Sequence, residues 1–353
     1  MISSKILYRF FPDCEITDVV KYGDAHINNT YLISTNKRKF ILQQVNRNVF
    51  NINNLVHNYI NLIRALSEQG ALGKFFPIFI PDNSGSIHYV DTAGSAWRAN
   101  EFIEDYSTYE ISPSTSITEN AGKAMGKFQL FLTKLNSKDF KDTIPDFHNP
   151  LRRLNEFQYA LKNADVDLKK VAENEINFAL DNKSIAKEMS YLLKSTLLPE
   201  RITHNDTKLE NFLFSTTSHN TYVIDLDTVM SGSLLFDFGD MVRSITSIAK
   251  EDEKDLSKVT FRMDHFEALC RGYLGELKNI ITTTEKEQLL SGALCIIYIQ
   301  GLRFLTDYIS GNKYYKVAYP THNLIRCRTQ FKLLEDILMY SDELTDKIYS
   351  VLQ

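Results

Sequence analysis

Residues 203–227 read THNDTKLENFLFSTTSHNTYVIDLD, and this stretch decides how the rest of the chain is interpreted. His204, Asp206 and Asn211 follow the spacing H-x-D-x-x-x-x-N, and Asp225 comes directly after a short apolar run. Phosphoryl transfer needs a carboxylate that accepts the proton of the incoming hydroxyl, and oxygen ligands that hold Mg²⁺ against the leaving diphosphate. The spacing therefore predicts a catalytic loop for phosphoryl transfer, followed by a metal-binding aspartate.

Each polar residue of this stretch has an expected role. Asp206 is placed to act as the base, and Lys208 can reach the transferred phosphoryl group and offset its developing charge. Asn211 and Asp225 are placed to hold the metal ion. A surface loop with scattered polar residues is the alternative, but the order of the set and the apolar runs on both sides of it disfavour that interpretation.

The bulk composition is that of a soluble globular protein. The chain has 353 residues, 43% of them hydrophobic and 24% charged, with a formal net charge of -4. No long basic run is present, so nucleic-acid binding is disfavoured. No signal-peptide pattern or bilayer-length apolar run is found, so we expect no membrane partner. Four cysteines lie far apart, which favours free thiols and a cytoplasmic location. The oligomeric state is left open.

We expect an N-terminal nucleotide-binding lobe over residues 1–104 and a helical lobe over residues 105–353. Strand-like runs, separated by turn residues, precede the boundary at 16–21, 30–33, 40–45, 75–80, 87–90 and 96–102. One helix-like stripe lies among them at 54–66. The loop at 23–29 carries one glycine, so a hairpin turn without a ligand is as compatible with it as a phosphate-binding loop. After the boundary the apolar pattern has the helical period.

Two features of the first lobe concern the nucleotide. Protein kinases place a lysine on the third strand and a glutamate on the following helix, whereas this chain has Gln43 or Gln44 on the strand and no glutamate on the predicted helix before Glu68. Either a neutral hydrogen-bonded pair replaces the ion pair, or metal and Lys208 hold the phosphates. The segment with Phe102 and Ile103 is expected to meet the adenine edge through its backbone.

Polar residues in the helical part have both structural and functional interpretations. Asp237 and Asp240 are expected to cap the next helix or to pair with Arg243 rather than to bind metal. Arg303 and Asp307 are four residues apart, so they form either a structural ion pair or the wall of a polar pocket. The proline-bracketed loop at 144–150 could contact a substrate hydroxyl or serve only as a turn.

The stretches at 204–211 and 223–230 resemble the aminoglycoside/choline phosphotransferase superfamily, and within it the N-acetylhexosamine 1-kinases. Further similar stretches lie at 23–28, 40–46, 144–149 and 303–315, so the resemblance covers most of the chain. It implies an α+β, protein-kinase-like fold with two lobes: a small lobe with an antiparallel sheet and a larger, mainly helical one. It also implies ATP and Mg²⁺ as cofactors, and a small-molecule sugar acceptor phosphorylated at its anomeric hydroxyl.

The resemblance also implies roles for residues outside the catalytic loop. His26, Arg303 and Tyr314 would contact the sugar. Asp227 is a second candidate for the metal beside Asp225, which we favour because it directly follows the apolar strand.

Two other interpretations stay open. A kinase for another small alcohol, of the aminoglycoside, choline or homoserine type, would share the fold. A cationic acceptor calls for an acidic pocket, however, and the charged residues within 303–328 are mostly basic. A nucleotide-binding pseudokinase that serves as an interaction module is suggested by the missing strand lysine. A protein kinase is disfavoured, because no D-F-G or A-P-E follows the catalytic loop.

Overall fold

The computed structural model describes residues 2–23 and 27–352. The chain forms two compact units. The first comprises residues 1–107, 134–145 and 213–231, and the second comprises residues 108–133, 146–212 and 232–353. His26, predicted to contact a sugar, lies outside the described residues.

The first unit is built on an antiparallel sheet in the order β1-β2-β3-β6-β4, with β5 also paired to β6. These strands are β1 Ile16–Lys21, β2 Asn29–Thr35, β3 Lys39–Val45, β4 Phe79–Ile80, β5 Tyr89–Val90 and β6 Ala96–Glu101. The strand predicted over 75–80 is wrong in its first part, because Pro77 has no N–H to donate to a ladder. The register of β3 on β6 places Gln43 opposite Arg98.

A layer of apolar side chains closes the sheet of the first unit. Ile33, Leu42 and Ala99 come from three neighbouring strands and are at most 1% exposed. They belong to one core cluster with Ile6 and Phe10 of α1. The remaining elements of this unit are α1 Ser4–Phe10, α2 Ile52–Glu68, β7 Tyr106–Ser107, β9 Phe212–Ser215, most of which lies here, and β10 Thr221–Val223. A further short strand, β11 Met230–Gly232, spans the end of this unit and the start of the next segment.

The second unit is mainly helical. Its elements are α3 Thr115–Leu132, α4 Pro150–Asn163, α5 Val166–Val171, α6 Glu173–Asp181, α7 Lys183–Lys194, β8 Arg201–Thr203, α8 Leu234–Ile245, α9 Met263–Leu277, α10 Thr283–Ile309, α11 His322–Met339 and α12 Ser341–Leu352. The closely packed pair α3 and α9 requires glycine at its crossing. A Cβ on Gly122 would lie 2.8 Å from the backbone nitrogen of Tyr273, so alanine there would push the helices apart.

Helix α10 is the central element of the second unit. It packs against α4, α7, α8 and α11, and it is apolar on most sides because so many neighbours cover it. Its length of 27 residues and its hydropathy also meet the criteria for a membrane span, but 67% of its most apolar window is buried inside the protein. We therefore interpret α10 as a core helix. The sheet-containing N-terminal part and the mainly helical C-terminal part confirm the predicted α+β class.

Candidate active site

The predicted catalytic loop follows β8 in the second unit and brings three of the predicted residues together. The side-chain amide of Asn211 donates to the carbonyl oxygen of Asp206 at 2.7 Å and to its Oδ2 atom at 2.9 Å. The ammonium of Lys208 lies 3.2 Å from the same carboxylate oxygen. Asp206 is thus held between an amide donor and a cation, and about a quarter of its side chain (24%) is exposed.

The charge state of Asp206 follows from these neighbours. Burial is the largest influence and raises the pKa of the carboxyl, but the positive charge of Lys208 and the hydrogen bond from Asn211 are among the influences that outweigh it, and the net pKa is lowered. Asp206 is therefore an ionised carboxylate at neutral pH. An ionised, partly exposed carboxylate can accept a proton from a bound hydroxyl.

The backbone of the catalytic loop is bound by a carboxylate from α8. Asp237 accepts the N–H groups of His204 at 2.9 Å and Asn205 at 2.7 Å, and it also accepts from the side-chain amide of Gln129 at 2.7 Å. It is fully buried, and burial raises its pKa to about 6. The prediction that Asp237 caps the next helix is wrong, because Ser233 caps α8. An aspartate inside the apolar run 234–242 is the sequence signal for this role.

Asp240, one turn further along α8, pairs with Arg243 at 2.8 Å, which confirms the predicted pairing. Only Oδ1 of Asp240 takes part in that contact. Its Oδ2 atom is buried and accepts no hydrogen bond within the described part of the chain.

Arg303 of α10 lies among aromatic rings. Its guanidinium carbon is 5.3 Å from the ring centroid of Phe147 and 5.7 Å from that of Tyr315, and Nη1 donates to Gln300 at 3.1 Å. Tyr314, the other predicted sugar contact on this side, is 64% exposed and packs edge-on against Tyr315.

The structural ion pair considered for Arg303 and Asp307 is wrong. Asp307 instead accepts the backbone N–H groups of the turn after α10, from Lys313 and Tyr314 at 2.8 Å and from Tyr315 at 3.0 Å. Its carboxylate thereby shapes the segment that carries the two tyrosines.

His148, in the loop before α4, is a neutral group beside the catalytic loop. Nε2 lies 2.7 Å from the carbonyl oxygen of Asn205 and must donate to it, so Nδ1 carries the lone pair. That Nδ1 atom is buried and makes no hydrogen bond to any described residue. Burial is the main cause that lowers the pKa of the imidazole to about 4. The hydroxyl of Tyr315 is likewise buried and makes no hydrogen bond to any described residue.

The two candidate metal aspartates of the first unit have opposite surroundings. Asp225 is exposed and adopts the left-handed backbone conformation, with φ 58° and ψ 56°. Asp227 is 1% exposed. Its Oδ1 atom accepts from the hydroxyl of Tyr59 at 2.7 Å and pairs with Arg98, and its Oδ2 atom accepts from Asn28 at 2.7 Å.

Gln43 contacts the same arginine. Its Oε1 atom accepts from Nε of Arg98 at 2.9 Å and from Nη2 at 2.7 Å, while its amide donates to Thr30 at 3.2 Å. Sequence reasoning missed Arg98, a single arginine within the apolar strand β6. Burial is the largest influence on the guanidinium and lowers its pKa, but the charge of Asp227 outweighs it and the net pKa is raised. Arg98 is therefore a buried, permanent cation.

Phe102 and Ile103 follow β6, where the adenine contact is predicted. The N–H of Phe102 donates to the carbonyl oxygen of Lys39 at 3.2 Å, and its ring packs edge-on against Tyr22 at 5.7 Å. The nucleotide-binding roles of Phe102, Ile103 and Gln43 stay predictions.

The donor chemistry of Asn211 and Asp225 fits a hard cation. Both contacts of Asn211 use the amide nitrogen, so neither consumes the amide oxygen, which is the atom Mg²⁺ prefers. Asp225 offers an exposed carboxylate. Within residues 2–23 and 27–352, no group of three or more His, Cys, Asp or Glu side chains is arranged to hold a metal ion, so a cation bound by either residue would need ligands other than such side chains, as Mg²⁺ bound to phosphates commonly has.

The sequence model of one family matches the chain over residues 18–273, a span that includes the whole catalytic loop and α8. The chain belongs to the phosphotransferase enzyme family. It is therefore a small-molecule phosphotransferase, and Asp206, Lys208 and Asn211 lie within the matched region.

Solved structures of related fold support the same architecture. An aminopropanol kinase associated with a microcompartment is 16% identical, with a TM-score of 0.65 and 94% of both chains covered. A spectinomycin phosphotransferase in complex with ADP and spectinomycin is 11% identical, with a TM-score of 0.62 and coverage of 99% of this chain and 98% of that one. A choline kinase from Streptococcus pneumoniae is 16% identical, with a TM-score of 0.56 and coverage of 94% and 98%. These likenesses confirm the predicted kinase-like fold.

Proposed function

We propose that this phosphotransferase transfers the γ-phosphoryl group of ATP to a hydroxyl of a neutral, hydroxyl-rich small molecule. The specific acceptor that we propose is an N-acetylhexosamine, GlcNAc or GalNAc, which would leave as the sugar 1-phosphate. The observation that carries the proposal is the ionised carboxylate of Asp206, fixed by Asn211 at 2.9 Å and Lys208 at 3.2 Å on a loop that α8 binds. The ADP complex of the spectinomycin phosphotransferase supports an adenine nucleotide as the donor.

In the proposed step Asp206 accepts the proton of the attacking hydroxyl. The oxygen of that hydroxyl forms a bond to the γ-phosphorus, and the bond from the γ-phosphorus to the bridging oxygen of ADP breaks. Lys208 can follow the charge on the transferred group because its ammonium already lies beside Asp206. Asn211 and Asp225 would hold Mg²⁺, which when bound neutralises charge on the phosphates.

The surroundings of Arg303 support a hydroxyl-rich acceptor. The buried Nδ1 of His148, the Oδ2 of Asp240 and the hydroxyl of Tyr315 have no partner among the described residues. Buried polar atoms of this kind cost free energy unless something satisfies them. A sugar offers hydroxyl and amide groups that can donate to such acceptors, while aromatic rings such as Phe147 and Tyr315 offer flat faces to its apolar side.

The charges within residues 303–328 argue against a cationic acceptor. Of the fully charged groups between residues 303 and 328, Arg303, Lys313, Lys316, Arg326 and Arg328 stand against Asp307 alone. The carboxylate of Asp307 is used by backbone N–H groups. A positively charged amine would therefore gain little from this region. His26 and Tyr314 remain proposed sugar contacts.

The test is an ADP-release assay with Mg·ATP and a panel of acceptors. The panel contains GlcNAc, GalNAc, glucose, choline, 1-amino-2-propanol, homoserine and an aminoglycoside, each at the same concentration. We expect the two N-acetylhexosamines to give the highest kcat/KM. Turnover of an amino alcohol instead would support the phosphotransferase activity but show that the proposed sugar acceptor is wrong. Binding of Mg·ATP without turnover of any acceptor would favour a pseudokinase.

A further inference from the structure

The first unit contains a buried polar group whose function the family assignment does not supply. We call it the Arg98 cluster, and its members are Arg98, Asp227, Tyr59, Gln43 and Asn28. Arg98 and Tyr59 are each 4% exposed and Asp227 is 1% exposed. A buried charge pair costs desolvation energy and is retained only with close partners. Such an arrangement next to Asp225 calls for a specific explanation.

Every oxygen of the Asp227 carboxylate is in use. Oδ1 accepts from Tyr59 at 2.7 Å and from Arg98, and Oδ2 accepts from Asn28 at 2.7 Å. Arg98 is in turn held from its other edge by Gln43, through two hydrogen bonds of 2.9 and 2.7 Å. Asp227 is also only 1% exposed, so a metal ion could reach its carboxylate only if the surrounding side chains moved apart.

The segment that carries Asp225 is fixed at two later points. Asp227 lies within a 3-10 turn, Leu226–Thr228, and is bound by the Arg98 cluster. Asn58 of α2 then donates to the carbonyl oxygen of Val229 at 2.9 Å. Asp225 stands immediately before this turn with φ 58°, a conformation that is unfavourable for a residue with a Cβ and is retained only where the surroundings enforce it.

We infer that Arg98 is a positioning residue: by holding Asp227 it keeps Asp225 in the left-handed conformation from which its exposed carboxylate can bind the metal of a metal–nucleotide complex. Asp227 is an anchor and not a ligand. The Arg98–Asp227 pair thereby stands in for the ion pair that the strand lysine makes in protein kinases. Gln43 hydrogen-bonds Arg98 instead of contacting phosphate. This inference rests on the proposed use of a metal–nucleotide complex.

The test measures metal binding directly, without turnover. Full-length protein is titrated with Mn²⁺ in the presence of ADP, and unbound Mn²⁺ is followed by electron paramagnetic resonance. Loss of a supporting contact around a metal ligand costs ~10 to 100-fold in metal affinity. We expect Arg98→Met and Asp227→Asn each to weaken Mn²⁺ binding by about that factor. The double variant should bind Mn²⁺ no more weakly than the weaker-binding single variant, because both substitutions remove the same contact.

The ligand alternative gives a different pattern. If Asp227 bound the metal, Asp227→Asn would weaken binding while Arg98→Met, which releases the carboxylate, would leave it equal or tighter. Equal affinity in all three variants would make the cluster purely structural. Either result overturns the inference. Asp225→Asn should abolish the ADP-dependent Mn²⁺ site, and a site retained in this variant would also overturn the inference.

A matched control comes from another ion pair of the first unit. Arg9 lies 2.7 Å from the buried carboxylate of Asp82, and Asp82→Asn should lower thermal stability without changing Mn²⁺ affinity. Where Arg98→Met does not fold, Arg98→Lys and Tyr59→Phe replace it. Both should weaken Mn²⁺ binding, and unchanged affinity in the two folded variants would equally overturn the inference.

The result separates this inference from the proposed function. If the unmodified protein neither binds Mn·ADP nor releases ADP with any acceptor, the proposed function is wrong. If it does both while Arg98 and Asp227 variants bind Mn²⁺ normally, only the positioning role is wrong.

Discussion

Oδ1 of Asp237 accepts the backbone N–H of Asn205 at 2.7 Å, and Asn205 is held in the left-handed region with φ 64°. Asn205 directly precedes Asp206. The position of the proposed base is therefore tied to a fully buried carboxylate. The helix that carries Asp237 is buried over most of its length, so the loop is anchored to the rigid core of the second unit.

Asp237→Asn is expected to lower kcat. The amide has one acceptor oxygen where the carboxylate had two, so it cannot serve both His204 and Asn205, and an unsatisfied buried donor costs about 1–3 kcal/mol. Part of that cost will appear as displacement of Asp206, which corresponds to roughly 10 to 100-fold in kcat. The measurement is steady-state kinetics with the best acceptor of the panel. Glu175→Gln, which breaks the 2.8 Å pair with Arg328 in the same unit, is the control and should keep kcat.

Activity should fall as pH drops through about 6. Burial raises the pKa of Asp237 to about 6, and its protonated form accepts the loop N–H groups less well. Asp206 does not set this limb, because its pKa is lowered from 3.8. A pH profile of kcat/KM checks this. A profile without an acidic limb near pH 6 would show that the protonation of Asp237 leaves the loop in place.

The protonation of Asp237 is expected to change stability in the opposite direction to activity. Because the folded-state pKa is raised above the unfolded value of 3.8 to about 6, the folded protein binds more protons between these values, and stability falls as pH rises through this window. The cost reaches about 3 kcal/mol above pH 6. Thermal unfolding of the unmodified protein relative to Asp237→Asn, from pH 4 to 8, should show this decline and then a plateau. A difference that does not vary with pH would contradict the assigned pKa.

Asp206→Asn tests the proposed base. General-base catalysis contributes ~10² to 10⁴-fold, so kcat should fall by about that factor. The asparagine can still contact Lys208 and Asn211, and we expect the fold and the KM for ATP to change little. Circular dichroism and a full ATP titration accompany the rate measurement. Near-normal turnover in a folded variant would remove Asp206 from this role.

Arg303→Met tests the acceptor side. Loss of the guanidinium between Phe147 and Tyr315 should raise the KM for the acceptor by roughly 10-fold, in the range expected when a stacked cation and its hydrogen bonds are removed. The KM for ATP should stay unchanged. Arg303→Lys keeps the charge but not the planar group, so it should recover little. A rise in the KM for ATP instead would place Arg303 with the nucleotide.

Features formed by residues close along the chain were predictable from the sequence. Asp206, Lys208 and Asn211 lie within six positions of one loop, so their spacing alone brought them together, and the structure places them in contact. A helix also follows from the apolar period, since the stripe at 54–66 became α2. Helix ends and short strands were less predictable, since Pro77 removed part of a predicted strand.

Contacts between distant segments were not predictable in the same way. Asp227 was expected to be a metal candidate because two aspartates follow one strand, yet its partner Arg98 lies 129 positions away. Asp237 was expected to cap the next helix or to pair with Arg243, yet it binds backbone N–H groups 32 and 33 positions earlier. Arg303 and Asp307 have the spacing of a helical ion pair, but backbone N–H groups take Asp307.

The sequence by itself determined the catalytic loop and the α+β class, because both depend on interactions between residues that are close along the chain. Only the tertiary structure decided which carboxylates are exposed and which are buried and hydrogen-bonded. That distinction depends on packing: a carboxylate loses its water when strands and helices close around it, and it then takes whichever donor the fold brings within reach. For this phosphotransferase that donor is Arg98 for Asp227 and the loop backbone for Asp237.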